Sequence, residues 1–393
     1  MFEDNEIIEL DKNIHEINDN KEVILDGDDS LSASMPCGEG GYPMYNIKVE
    51  RGFYTVYELK RKYDHKDKRI VLDSDFQRES IWEPFQKAEL IESILMGLPL
   101  PIFYFNQDKL GKLIVVDGRQ RLTSLFEFMS NKWSLKNLKI LSELNGRTFE
   151  DLSPVAQTQI EDYQIQAHVI QPSTPDKVKF DIFERVNRAG TQLNKQEIRN
   201  ALYQGKATIL LNRIVNTNEF SKATGDAFKK NARMKDKYLV TRFIAFELYN
   251  NNKIKVDSKA YKYKNDIDEL LGLAMEYINC ISDNEVELIE EMVMRALKNS
   301  YEILGENAFR MFQSNGKRSP INMNVFEVLM HLMSLLPDEN LIYKYIIKDK
   351  VEKMKCDENF QNSIRYHRDS WQNVELRYKM VDKILEELND IKN

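Results

Sequence analysis

A carboxylate, a glycine and two guanidinium groups lie close together in VVDGRQRLTSL, residues 115–125. The β-branched residues before Asp117 predict a strand, and the apolar spacing after the turn predicts a helix. Gly118 then stands at the turn, and Arg119 and Arg121 fall in the first helical turn. Cations oppose the helix dipole there, whereas a bound anion would meet unpaired amides and both guanidiniums. The pattern indicates a phosphate site; the alternative is a capped helix with two exposed arginines.

The other side chains of this stretch suggest what such a site could do. Gly118 permits a positive φ or the close approach of a ligand. Asp117 could cap the helix, hold one of the arginines or bind Mg²⁺. Gln120 could orient a water molecule or read a base edge. Thr123 and Ser124 add two hydroxyl groups one turn further along.

Two more polar clusters stand where predicted elements end. DSDFQRESIW follows a predicted strand and contains Gln77 and Arg78. FERVNRAGTQLNKQEIRNAL contains Asn187 and Gln192 around a tight turn between two predicted helices. Each cluster alone has a structural explanation, such as surface ion pairing. Three such clusters within about 130 residues together favour a functional site.

The charge and the element pattern divide the chain into three parts. Residues 1–44 hold 12 of the 63 acidic and 2 of the 56 basic residues, which leaves 54 basic and 51 acidic residues in the rest. This acidic arm is typical of a flexible, solvated tail; the alternatives are a partner-binding segment or an autoinhibitory segment that competes with nucleic acid. Short strands mixed with helices, with a hairpin formed by PIFYFN, QDKLG and KLIVV among them, predict an α+β domain with a small mixed sheet over residues 45–205. Within this domain, Pro84 stands near a predicted helix start, and Asn194 with Glu197 predicts a capping box at another. Residues 206–393 are predicted to form an all-helical domain.

The composition excludes several classes of protein. The three cysteines are far apart, which argues against a disulfide framework or a zinc site and favours the cytoplasm. The acidic N-terminus lacks the basic and apolar regions of a signal peptide. No apolar run approaches the roughly 18 residues of a membrane span. None of the five histidines has the spacing of a metal site.

Nucleic-acid contact is suggested by two basic runs, KKNARMKDK and KIKVDSKAYKYK. The second run interleaves Tyr261 and Tyr263 with lysines. Lysines supply salt-dependent affinity for phosphates, and aromatic rings can stack on bases. The alternative is that both runs are solvated faces of structural elements.

Taken together, the segments FQR…W, LIESILMGLPLPIFYF, VVDGRQRLTSL and FERVNRAGTQLNKQEIRNA resemble one family. They are similar to the N-terminal domain of GmrSD-type, modification-dependent restriction systems, over about residues 45–250. The resemblance implies a ParB/sulfiredoxin-like fold and a standalone family member, because the chain shows no HNH-like histidine cluster. In this family an Asp-Gly-Gln-Gln-Arg signature is tied to nucleotide binding and hydrolysis. Arg119 departs from that signature, which usually has glutamine there.

The resemblance implies an NTP-hydrolysing component of a prokaryotic system that defends against foreign or modified DNA. It implies NTP and Mg²⁺ as cofactors, with Asp117 as the Mg²⁺ ligand and with Asp117, Gln120 and Arg121 as catalytic residues. Nucleotide or phosphate contacts are expected from Gln77, Arg78, Gly118, Arg119, Thr123, Ser124, Asn187 and Gln192. DNA is the expected partner, together with a partner nuclease or defence protein. Two alternatives stay open: a metal-dependent nuclease that uses the same pocket, and a non-catalytic module that binds nucleotide or DNA, which the departure at Arg119 favours.

Overall fold

A computed structural model describes residues 25–26, 47–72, 82–187, 194–229, 233–312, 318–337 and 342–392. It divides the chain into two compact units. The sheet unit comprises residues 30–208, and the helical unit comprises residues 1–29 and 209–393. The predicted α+β class, with a small mixed sheet followed by a mainly helical region, is confirmed.

Of the acidic arm, the structure describes strand β1, Leu25–Asp26. This strand pairs in parallel with Ile321–Asn322, and both belong to the helical unit. The pairing spans two residues on each strand, so it joins the arm to the helical unit by backbone contacts over a short length.

The sheet unit is built on a mixed sheet of five strands. These are β2 (Val49–Thr55), β3 (Ile70–Val71), β4 (Phe103–Gln107), β5 (Leu113–Asp117) and β6 (Gln164–Ile170). Their order across the sheet is β2-β6-β4-β5-β3. The predicted hairpin is confirmed as the antiparallel pair β4–β5, whereas β6 pairs in parallel with β4.

Among the residues of this unit that the structure describes, six α-helices accompany the sheet. They are α1 (Val56–Asp64), α2 (Pro84–Leu95), α3 (Arg119–Met129), α4 (Pro154–Glu161), α5 (Asp176–Asn187) and α6 (Lys195–Leu202). The start of α2 at a proline is confirmed, as is the capping box of Asn194 and Glu197 at the start of α6. Proline suits the first helical turn because its missing N–H would have no partner there.

Strand β5 is apolar on both faces because each face packs against a different core. Leu113 and Val115 contribute to a core with residues of α1 to α4. Ile114 and Val116 contribute to a second core with residues of α5 and α6. Alternate residues of a strand point to opposite faces, so a continuous apolar run indicates a sheet that is covered on both sides. The chain leaves both cores at Asp117, where polar side chains can reach solvent.

The region that begins at Lys206 is mostly helical. Its helices are α7 (Lys206–Val215), α8 (Asn218–Thr224), α9 (Lys235–Asn250), α10 (Ile267–Cys280), α11 (Asp283–Leu304), α12 (Met323–Leu335), α13 (Lys344–Cys356), α14 (Glu358–Arg365) and α15 (Trp371–Lys392). Three short strands interrupt them: β7 (Lys255–Val256), β8 (Lys259–Ala260) and β9 (Ile321–Asn322). The predicted helical character of this region is confirmed, and the short strands lie between its helices. No helix among the described residues combines the length and the apolar character that crossing a membrane requires.

The interior of the helical unit contains a buried ion-pair network. Arg242 on α9 is 0% exposed and contacts Glu327 on α12 at 2.6 Å and Asp369 at 2.8 Å. Arg377 on α15 lies 3.6 Å from the same glutamate. Buried charges require such pairing because desolvation of an isolated charge is costly. The network therefore links three helices of the unit through side chains.

Candidate nucleotide site

The predicted strand–turn–helix is confirmed at the end of β5. Asp117 is the last residue of the strand, and Gly118 is the N-cap of α3, with φ +96° and ψ 7°. The first helical hydrogen bond runs from the Leu122 amide to the Gly118 carbonyl at 2.9 Å. Glycine has no side chain, so the N-cap residue itself makes no capping hydrogen bond to the amides of α3.

Gly118 is required by packing as well as by its backbone angle. A Cβ atom at this position would stand 2.1 Å from Cδ1 of Phe103, well inside any allowed contact. The positive φ is itself unfavourable for a residue with a side chain. The glycine therefore lets the backbone of the turn contact the Phe103 ring, and this contact positions the start of α3 relative to the sheet.

Arg121 is anchored inside the sheet unit by three contacts. Its Nη2 donates to Oδ2 of Asp117 at 2.9 Å, and its Nη1 donates to the carbonyl of Pro101. Its guanidinium carbon lies 4.1 Å from the centre of the Phe103 ring. The residue is only 9% exposed. Burial lowers the pKa of Arg121, and the charge and hydrogen bond of Asp117 act in the opposite direction.

These contacts determine the orientation and the exposure of the Asp117 carboxylate. Among the roles that the sequence left open for this residue, contact with an arginine is observed. The side chain is 39% exposed. Its second oxygen, Oδ1, makes no hydrogen bond to the part of the chain that the structure describes. Arg121 thus orients a carboxylate that keeps one oxygen available at the start of α3.

The remaining residues of the motif differ in their access to solvent. Arg119 and Gln120 are half-buried in the first turn of α3, and Thr123 is half-buried one turn later. The side chain of Gln120 has no hydrogen-bond partner among the described residues. Ser124 is only 1% exposed, so its hydroxyl is shielded from solvent. The accessible side chains of the motif are therefore Asp117, Arg119, Gln120 and Thr123.

Four predicted contacts fall partly or wholly outside the described residues. Gln77, Arg78 and Gln192 lie outside them, as does the side chain of Asn187, whose backbone ends α5. The structure thus brings together residues 117–121, and the predicted contribution of the two flanking clusters stays a prediction.

Two residues of the site are absent from the sequence-based prediction: Pro101 and Phe103, which hold Arg121. The sequence feature that could have located Pro101 and Phe103 is the pairing of residues across the predicted β4–β5 hairpin. Tyr104 pairs with Asp117 across β4 and β5, so the residues just before Tyr104 must lie beside the turn. That register depends on a β-bulge between Tyr104 and Phe105, which the sequence pattern does not specify.

The site could accommodate a metal ion through a single carboxylate. The described residues contain no group of three or more histidine, cysteine, aspartate or glutamate side chains that could hold a metal. Mg²⁺ is typically bound by one or two carboxylates together with substrate phosphates and water, rather than by an all-protein cage. The available oxygen of Asp117 fits that mode of binding.

Comparison with known families identifies the segment that carries this site. Residues 59–204 match the family model described as GmrSD restriction endonuclease, N-terminal domain. This segment belongs to that family, which confirms the resemblance drawn from the motifs and places it in a restriction-system family. No curated protein and no solved structure matches the chain. The ParB/sulfiredoxin-like fold implied by the resemblance stays a prediction.

Proposed function

We propose that the start of α3 binds the phosphates of a nucleoside triphosphate with Mg²⁺ and promotes their hydrolysis, as part of a DNA-defence system. The observation that carries the proposal is the Asp117 carboxylate, which Arg121 holds at the helix start with one oxygen available. The family match of residues 59–204 supports the restriction-system setting.

The charges at the site favour a polyanion. Asp117, Arg119 and Arg121 carry formal charges of −1, +1 and +1, and the helix N-terminus adds roughly half a positive charge. Arg121 is committed to Asp117 and to the Pro101 carbonyl. Its contribution is therefore to offset the carboxylate charge, so that a phosphate can approach the amides of α3 without strong repulsion.

Each accessible group then has a specific role. The first amides of α3 would donate to phosphate oxygens. Asp117 would hold Mg²⁺ through Oδ1, and the bound ion would neutralise phosphate charge. Gln120 would orient the attacking water with its side-chain amide. Arg119, in the same turn, would add a phosphate contact.

The main competing function is a nuclease that uses the same groups on a phosphodiester. The family description, a restriction endonuclease, favours this alternative. Two-metal nuclease chemistry brings two ions about 4 Å apart, which requires more carboxylate ligands than one. No carboxylate cluster accompanies Asp117 among the described residues. A metal shared between one carboxylate and nucleotide phosphates therefore fits the site better.

The proposal is tested by titrating ATP, GTP, CTP and UTP into the protein, with Mg²⁺ and with a chelator. We expect one site per chain that binds at least one NTP, and more tightly with Mg²⁺. Asp117→Asn keeps an oxygen that can accept from Arg121 but loses the charge that binds the metal. This variant should bind the NTP with no Mg²⁺ dependence.

The matched control is Glu127→Gln, which removes one carboxylate from the same helix. Glu127 contacts Lys87 at 3.3 Å, so its charge has a partner outside the motif. This variant should keep the wild-type Mg²⁺ dependence. Absence of NTP binding by the wild-type protein, or an unchanged Mg²⁺ dependence in Asp117→Asn, would refute the proposal.

A further inference from the structure

The β7–β8 hairpin and its flanks concentrate positive charge on the surface of the helical unit. Residues 251–264 contain five lysines and a single acidic residue, Asp257. All five lysines are exposed: Lys253, Lys255, Lys259, Lys262 and Lys264. We call this set the hairpin lysines.

The hairpin lysines lack the ion pairs that lysines make elsewhere in the unit. Lys350, Lys353 and Lys379 contact Glu387, Asp349 and Glu375, respectively. By contrast, no ammonium group of the hairpin lysines contacts a carboxylate of the described chain. Their charge is therefore available to an external anion.

Buried residues and a hydrogen bond hold in place the β7–β8 hairpin that carries these lysines. Ile254 and Tyr263 are only 3% and 6% exposed, and they anchor its two sides. The Tyr263 hydroxyl donates to the Asp369 carbonyl at 2.7 Å. Asp257 and Ser258 both have positive φ, 50° and 64°, as in the tight turns that join two short strands. The buried anchors thus stand between exposed lysines on both sides of the hairpin.

The tyrosines of this segment are engaged within the unit. The Tyr263 ring packs against Phe246 and Trp371 at centroid distances of 5.7 and 6.5 Å. The Tyr261 hydroxyl donates to Glu269 at 2.8 Å. The stacking on bases that the interleaved sequence suggested therefore has little support here. Lysines without available rings suit contact with a phosphate backbone rather than with unpaired bases.

We propose that the hairpin lysines bind the phosphate backbone of duplex DNA without reading its sequence. The proposal deepens the DNA-defence role proposed above and rests on it for the choice of DNA as the polyanion. Each neutralised phosphate releases condensed counterions, so the affinity should fall steeply with salt. Backbone contacts of this kind position a protein on DNA and carry no base specificity.

The test compares two triple variants in which three lysines are replaced. The hairpin variant is Lys259→Gln, Lys262→Gln and Lys264→Gln in the full chain. The control is Lys350→Gln, Lys353→Gln and Lys379→Gln, which removes the same charge from ion-paired positions of the same unit. Binding to a random-sequence 30-base-pair duplex is measured by fluorescence anisotropy between about 50 and 200 mM salt.

We expect the slope of log K against log salt to become shallower by about 2.7 in the hairpin variant, at about 0.9 per phosphate contact. The control should stay within about 0.5 of the wild-type slope. Equal slopes in the two variants would overturn the proposal. So would undetectable duplex binding by the wild-type protein, or tighter binding to the single strand than to the duplex at the same salt.

The same proteins distinguish this proposal from the nucleotide site. The hairpin variant should bind Mg²⁺·NTP as the wild-type protein does, and Asp117→Asn should keep the wild-type salt slope on DNA. Loss of NTP binding in every protein, with the slope change intact, would reject the nucleotide proposal alone. Normal NTP binding without a slope change would reject the hairpin proposal alone.

Discussion

Gly118→Ala is expected to lower the free energy of unfolding by about 2–5 kcal/mol. The left-handed backbone contributes about 1–2 kcal/mol of this loss, because φ at this position is +96°. Overpacking contributes about 1–3 kcal/mol, because the new methyl group would stand 2.1 Å from the Phe103 ring. The ring cannot move without disturbing Arg121, whose guanidinium lies 4.1 Å from its centre. Urea unfolding followed by circular dichroism measures the loss.

Gly146→Ala supplies the matched control for this prediction. Gly146 has a similar φ of +88°, but no atom lies within 4 Å of the Cβ position. Its replacement should cost only the backbone contribution, about 1–2 kcal/mol. Equal losses in the two variants would show that Phe103 does not support the turn.

Asp117→Asn is expected to lower the rate of NTP hydrolysis by about 10²–10³-fold, the usual cost of losing one preorganised electrostatic contact. The fold should persist because asparagine retains an oxygen that can accept from Arg121 Nη2, at the position of the present 2.9 Å bond. Phosphate release under saturating NTP and Mg²⁺ measures the effect. Glu127→Gln should release phosphate at the wild-type rate.

Two results would contradict hydrolysis as the activity. Cleavage of plasmid DNA without added nucleotide, abolished by Asp117→Asn, would assign the site to a nuclease. Tight NTP binding without phosphate release over hours would assign it to a non-catalytic module. If NTP binds without hydrolysis, the variant Arg119→Gln restores the residue that the family signature usually has there. Phosphate release by this variant would then show that Arg119 is the cause of the missing hydrolysis.

Local signals were sufficient to predict the elements that carry the site. The change from a continuous apolar run to helical spacing located the end of β5 and the start of α3. Asn194 and Glu197 identified the start of α6 because both partners of a capping box lie within one turn. Such features depend only on neighbours in the sequence, so the pattern alone specifies them.

The direction of Arg121 could not be predicted because it depends on distant residues. Its anchors, the Pro101 carbonyl and the Phe103 ring, lie about one hairpin away along the chain. Thr174 provides a parallel case. It stands just before α5, where a threonine could cap the helix, but its hydroxyl accepts from the Lys48 amide at 3.1 Å and donates to the Lys48 carbonyl at 3.0 Å. Both outcomes follow from tertiary contacts that override local preference.

The β7–β8 hairpin was missed for a different reason. Each of its strands has two residues, too few for alternation to be recognised against a lysine-rich background. Its anchors, Ile254 and Tyr263, are buried by contacts that form only in the folded unit. The sequence shows that this segment is rich in lysine. The structure adds that its tyrosines are held by hydrogen bonds and ring contacts within the unit, whereas the hairpin lysines make no ion pair with the described chain.

The central claim is that the start of α3 binds a nucleotide phosphate beside Asp117. It is tested most directly by a crystal structure of the protein with Mg²⁺ and a non-hydrolysable NTP analogue. We predict a phosphate within hydrogen-bond distance of the first amides of α3, with the metal on Oδ1 of Asp117 and Arg121 still bound to the Pro101 carbonyl. A nucleotide bound elsewhere, with the start of α3 in contact only with solvent, would contradict the claim.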